Sequence, residues 1–187
     1  MNPKAISSDA IAMNPHAAAL IQQFSLIAHP EGGFYRETYR APLQVQSPVH
    51  AGLRPAFTSI HFLLANGHYS AWHRVASDES WFFHTGCDLQ IYTLTPPTGH
   101  NHCTAPSVNV VTLGPGVGRY ETTIAAGNWF AAKPVDDNSY CFVSCVVGPG
   151  FLFEDFQLAN CDTLIAQGYQ NSSDWPLIES LLVRQPT

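Results

Sequence analysis

Through its middle the chain runs in short apolar or alternating stretches, separated by clusters of Gly, Pro, Asn and Asp. That punctuation predicts strands over residues 33–39, 58–64, 70–75, 79–85, 89–94, 108–113, 119–124, 128–133, 140–147 and 151–158. No helical period intervenes, so the strands should form an antiparallel sandwich or barrel rather than a parallel sheet. Helical signals occur only at the two ends. Asn14 can cap and Pro15 suits a first helical position, which predicts a helix over 15–27 with Ala19, Leu20, Gln23, Phe24 and Ile27 on its inner face. Ser173 or Asp174 can cap a second helix, over 175–182. Residues 1–14 read as an arm, about 29–160 as the barrel and 161–187 as a tail with its helix. The whole is one domain of 187 residues.

Composition narrows the picture. Charged residues are 12% of the chain and aromatics another 12%, which fits a packed core and not a disordered segment. The net charge of -6 and the scattering of the 8 Lys and Arg residues exclude nucleic acid as the main partner. The N-terminus lacks a basic stretch before an apolar core, and Asn14-Pro15-His16 interrupts it, so no secretory signal is expected. No apolar run approaches the ~20 residues that cross a bilayer. The 5 cysteines are odd in number and irregularly spaced, which fits reduced thiols and a cytoplasmic location.

Candidate chemistry is densest over 67–86, Gly-His-Tyr-Ser-Ala-Trp-His-Arg-Val-Ala-Ser-Asp-Glu-Ser-Trp-Phe-Phe-His-Thr-Gly. On adjoining strands His73 and Glu79 would converge on one interior face, as a base with its orienting partner or as two ligands of a divalent metal. The alternative is a pair that simply hydrogen-bonds inside a polar barrel mouth. Counting by twos from Glu79 puts Trp81 and Phe83 on its face and His84 on the other, but bulges are common near sites and one here would bring His84 in, so it is kept as a candidate ligand-binding residue. Trp129 offers a stacking surface or a core side chain. Glu154 and Asp155, adjacent on a predicted strand, should face opposite ways, and only one of them can look inward. Cys141 and Cys145 read as packing rather than nucleophiles. His100, His102 and Cys103 lie in a Pro- and Gly-rich loop without a downstream partner at zinc spacing.

Gly67, His73, Glu79 and Gly86 fall on the spacing of the first cupin motif, with Val75 where its second metal-binding His would stand. Gly127 echoes the second motif, with Phe130 in place of its His. A fuller set is His29-Pro-Glu-Gly-Gly-Phe-Tyr-Arg-Glu-Thr38, Ser70-Ala-Trp-His-Arg74, Ser77-Asp-Glu79, Ala126-Gly-Asn-Trp-Phe-Ala131 and Gly148-Pro-Gly-Phe-Leu-Phe-Glu-Asp-Phe156. Together these resemble the cupin-5 (DUF985) family, whose members are similar in fold to sugar-nucleotide epimerases. The resemblance implies a double-stranded β-helix, that is, an all-β jelly-roll barrel with flanking N- and C-terminal helices. It also implies a pocket lined from several strands, with Tyr35 and Arg36 on one of them. Arg36 would clamp a phosphate or carboxylate there, or else pair with Glu37 or Asp155. Members usually carry a further His where this chain has Phe82. No cofactor is firmly implied; any divalent metal would rest on His73 and Glu79. Edge strands of such barrels are commonly covered by a second subunit, so a homodimer is expected.

Three functional readings follow. The barrel holds a small molecule such as a nucleotide or nucleotide-sugar without catalysis. Or it houses an epimerase- or isomerase-like enzyme in which His73 abstracts a proton, Glu79 fixes its tautomer and Arg36 holds the anionic end. Or it is a metal-dependent enzyme with a reduced ligand set, the reading that Val75 and Phe130 weaken.

Overall fold

The computed structural model describes residues 13–47, 52–97 and 105–183. The arm before residue 13 and the His100, His102, Cys103 loop lie outside the described residues. Helix α1 (Pro15–Phe24) is followed by β1 (Ile27–Ala28), β2 (Phe34–Arg40), β3 (Gln44–Gln46), β4 (Leu53–Pro55), β5 (Thr58–Ala65), β6 (Ser70–Val75) and β7 (Asp78–Gly86). Then come β8 (Leu89–Thr95), β9 (Ser107–Leu113), β10 (Glu121–Ile124), β11 (Phe130–Pro134), β12 (Tyr140–Gly148), β13 (Phe156–Leu158), α2 (Cys161–Ala166) and α3 (Trp175–Ser180). All described strand pairs are antiparallel. They form a six-stranded sheet β1-β2-β5-β12-β7-β10, a five-stranded sheet β13-β6-β11-β8-β9 and a small β3-β4 ribbon.

The two large sheets face each other as the jelly roll that the strand pattern predicts. On β12 the inward residues Cys141, Val143, Cys145 and Val147 are buried while Tyr140, Ser144 and Val146 are only partly so. They meet Phe62, Leu64, Trp81, Ile91, Leu113 and Phe130 in the core between the sheets. Each such large side chain contributes roughly 1.5–3 kcal/mol by leaving water.

The helices cover the outer faces. Helix α1 is capped by the Asn14 side chain, which accepts from His16 and Ala17 N–H, and it lies over Leu63, Ala65 and Phe142. Its inner face is Ala17, Leu20, Ile21 and Phe24, so Leu20 and Phe24 lie as the sequence predicts while Ala19, Gln23 and Ile27 do not. Ser25 ends the helix in a left-handed conformation (φ 52°), so Ile27 leaves it and is exposed in β1. Ala19 and Gln23 point to solvent. At the other end α2 and α3 pack against the outer face of the five-stranded sheet. Trp72 Nε1 donates to the Ile178 carbonyl at 2.7 Å, and Leu164, Tyr169, Ile178 and Leu181 fill the space. Helix α2 falls in the stretch read only as tail, and α3 stops at Ser180, short of 182.

Candidate functional site

The floor of the barrel is built by a bulge. On β6, His73 pairs with Phe130 and Ser70 with Ala132, so three residue steps oppose two on β11. A strand without that shift would send Ser70 and His73 to opposite faces; the bulge puts both inside. Into the same space comes Glu31, from the loop that precedes β2. Gly32 and Gly33 take φ of 111° and 70° there. A Cβ on Gly32 would run into the Tyr69 carbonyl, and one on Gly33 would lie 2.6 Å from the Leu63 carbonyl. Only glycine allows this turn.

The resulting network fixes its own protons. The Glu31 carboxyl accepts from Ser70 Oγ at 2.9 Å, and its other oxygen lies 3.2 Å from His73 Nε2. His73 Nδ1 donates to the Ala71 carbonyl at 2.7 Å, so Nε2 of the neutral ring is an acceptor. His29 Nδ1 accepts from the Glu31 backbone N–H at 3.4 Å. Burial holds His73 down to about 3 and His29 down to about 4, so both rings are neutral. Burial, and next the nearby Glu79 carboxylate, push Glu31 well above the usual carboxylate range. Burial thus favours the neutral acid on Glu31, whose second oxygen faces His73 Nε2.

Glu79 enters from β7 beside this network. Burial lifts it to about 7, against which a hydrogen bond from the Cys145 thiol and the Trp81 indole N–H pull it down. The Trp81 Nε1 has no partner of good hydrogen-bond geometry, so its share in holding Glu79 is a loose one. Burial, then Glu79, drive the Cys145 thiol far up, and Cys141 is likewise raised by burial; neither is a thiolate.

Above the floor lies a cavity of about 180 Å³. Tyr35, Ile60, Phe62, Phe151, Phe153 and Phe156 wall it, and Glu37 and Arg40 stand among its lining residues. Arg40 is committed: it forks onto Glu37 at 3.1 and 2.6 Å and donates to the Phe151 carbonyl at 3.2 Å. A second, more open cleft, lined by Asn66, His68 and Tyr69, borders His29 and Glu31 from the other side.

Of the residues singled out from sequence, the structure brings His73, Glu79 and Tyr35 to the cavity. Arg36 alternates with Tyr35 and Glu37 on β2, is exposed on the outer face opposite His61, and makes none of the described ion pairs. Glu37 pairs with Arg40 and Asp155 with Arg54, so both of the partners considered for Arg36 are taken. His84 sits on the outer face near His61, with Nε2 2.6 Å from Ser144 Oγ. A bulge does occur there, yet it leaves His84 outside. Trp129 is core: its Nε1 donates to Gln167 at 2.9 Å and Arg74 covers its ring at 4.6 Å. Residues 153–155 form a 3₁₀ turn, and only 156–158 are strand. Strand alternation therefore does not apply to Glu154 and Asp155. Both turn to Arg54, Asp155 in a two-point fork at 2.6 and 2.9 Å and Glu154 at 2.8 Å. Glu31, part of the His29–Thr38 motif but not chosen as a site residue, is the one that sequence reasoning missed.

The residues do not fit a resident divalent metal. Both His73 nitrogens are engaged, and the Phe130 ring packs 4.0 Å from the His73 ring. Among the described residues no three of His, Cys, Asp or Glu are placed to hold such an ion. Nor is any described helix long and apolar enough to cross a membrane.

The fold has relatives. A hypothetical protein from Leishmania major is 27% identical with a TM-score of 0.75, over 90% of this chain and 99% of its own. A protein from Shewanella oneidensis is 31% identical with a TM-score of 0.71, over 91% and 98%. A cupin 2 domain-containing protein from Halorhodospira halophila shares the fold at 14% identity and a TM-score of 0.50, over 86% and 89%. No curated protein matches the chain. The family model described as "Cupin superfamily (DUF985)" matches residues 18–159, and the chain belongs to that family.

Proposed function

We propose that this cupin binds a small organic molecule inside its barrel, with Glu79, Glu31 and His73 as the polar floor against which the molecule is oriented. The observation that carries this reading is the cavity itself, apolar on its walls and closed by buried groups that can give or take protons. A nucleotide or nucleotide-sugar finds little to hold its phosphates there. Arg40 is the one Lys or Arg among the lining residues, and it is spent on Glu37.

Native mass spectrometry of the protein as purified from cells tests this. The wild type should carry an organic molecule that Ile60→Trp, filling the lumen, excludes. Identical spectra from the two proteins would sink the reading. A homodimer, with a second copy over a sheet edge, belongs to the same proposal; light scattering at micromolar concentration checks it.

An isomerase-like reading has one observation in its favour, a carboxyl group near pKa 7 at the cavity floor. In that case Glu79 moves the proton. His73, with both nitrogens occupied, positions Glu31 rather than acting as the base. Solvent deuterium entering the retained molecule with wild type and not with Glu79→Gln would support it. Equal incorporation by both would remove it.

A further inference from the structure

We infer that the molecule this cavity takes is a small organic cation, such as an alkylated ammonium group; this rests on the barrel-binding reading above. Three phenylalanines of one short segment form much of the wall. Phe151, Phe153 and Phe156 lie with ring centroids 5.1, 6.0 and 6.3 Å apart at interplanar angles of 79°, 67° and 82°. Tyr35 and Phe62 close the opposite side. The three rings pack edge to face on one another as a single aromatic cluster that lines the cavity, and an aromatic lining attracts alkylated cations.

The floor supplies the sign. Glu31 and Glu79 are both buried, and no Lys or Arg among the described residues pairs with either. Burial keeps the neighbouring histidines neutral, and His29 Nδ1 accepts from the Glu31 backbone N–H. The single lining cation, Arg40, is matched by Glu37. Glu31 is held in its neutral form beside His73, so Glu79 is the carboxyl that can carry charge here, and no described Lys or Arg is paired with it; a cation seated over Glu79 stabilises its ionised form, whereas an anion is repelled by it. An alkylated cation satisfies walls and floor together.

The Arg54 fork explains how the aromatic wall is held. Asp155 lies between Phe153 and Phe156, and Arg54 grips it from β4 while its neighbour Glu154 is bound as well. Phe153 itself is 55% exposed, so it can be truncated without opening the core.

Calorimetric titration of the full chain with choline and with its neutral isostere 3,3-dimethylbutan-1-ol tests the proposal. Choline should bind at least tenfold more tightly than the isostere. Glu79→Gln should weaken choline at least tenfold and leave the isostere within about twofold, and Phe153→Ala, which spares the core, should weaken choline several-fold. The isostere binding as tightly as choline, or choline indifferent to Glu79→Gln in a folded variant, overturns the cation while the small-molecule reading stands. If neither probe binds, the cation proposal is overturned too. The small-molecule reading falls with it only if protein drawn from cells also carries no retained molecule that Ile60→Trp excludes.

Discussion

The Glu31 carboxyl lies 3.2 Å from His73 Nε2, on the side of the ring opposite the nitrogen that donates to the Ala71 carbonyl. Burial raises the Glu31 carboxyl and lowers the His73 imidazole, which favours a neutral acid beside a neutral imidazole over an ion pair. Glu31→Gln keeps the network, since an amide N–H can donate to Nε2 while the amide oxygen accepts from Ser70. Thermal or urea melts should show a change within about 1 kcal/mol, whereas Glu31→Ala, which strips two buried groups of their partner, should cost about 2 kcal/mol or more. Were the pair ionic, the Gln variant would strand a buried imidazolium and cost roughly 3–5 kcal/mol.

Stability should fall on both sides of a plateau in pH. Glu79 titrates near 7 in the barrel against an ordinary 4.5, so the folded protein keeps a proton that the unfolded chain gives up. Its contribution is lost as pH rises from 4.5 and is gone above about 7, and Glu31, raised the same way, adds to that loss. His73 and His29 have the opposite sign: the unfolded chain protonates them below 6.5, the fold only near 3 and 4, so stability drops as pH falls from 6.5. The opposing slopes offset each other between 4.5 and 6.5. In melts from pH 4 to 9, Glu79→Gln should tilt the plateau, so that stability rises with pH between 4.5 and 6.5 where the wild type is level. An unchanged profile over that interval would refute the assignment.

Gly32→Ala should do more than strain a loop. The added Cβ meets the Tyr69 carbonyl at a backbone angle that alanine rarely adopts, and relief requires the loop to move Glu31 off His73. The expected result is a loss of roughly 2 kcal/mol or more. An ¹⁵N shift of His73 Nε2 should accompany it. A destabilised protein whose His73 spectrum is unaltered would separate the turn from the network.

Arg54→Met should loosen the aromatic wall rather than the barrel. Without the fork, Asp155 and Glu154 lose the group that ties their turn to β4. Hydrogen exchange at the backbone amides of Asp155 and Phe156 should quicken at least tenfold while that of β12 is unchanged. Uniform quickening would show that Arg54 supports the whole fold instead.

The longer strands are legible because each alternates and is bounded by turn residues; β6 coincides with the predicted 70–75 and most others differ only at their ends, whereas β1, β3 and β4, of two or three residues each, carry too little pattern to be read. His73 and Glu79 follow from the same alternation, whereas His84, kept as a ligand-binding candidate on the expectation of a bulge, lies on the outer face. What alternation could not show were departures from it: the β6 bulge that turns Ser70 inward, and the 3₁₀ turn that gives Glu154 and Asp155 to Arg54. Arg36 was misplaced for a simpler reason, since its motif names the strand and not the face. Glu31 sits in a loop 39 residues from Ser70, a contact that no local pattern carries. The double glycine after it was the available signal.

Glu31 borders both the barrel cavity and the cleft beside Tyr69. With His29 it forms the wall that the two spaces share, so truncating either side chain would join the barrel interior to the cleft.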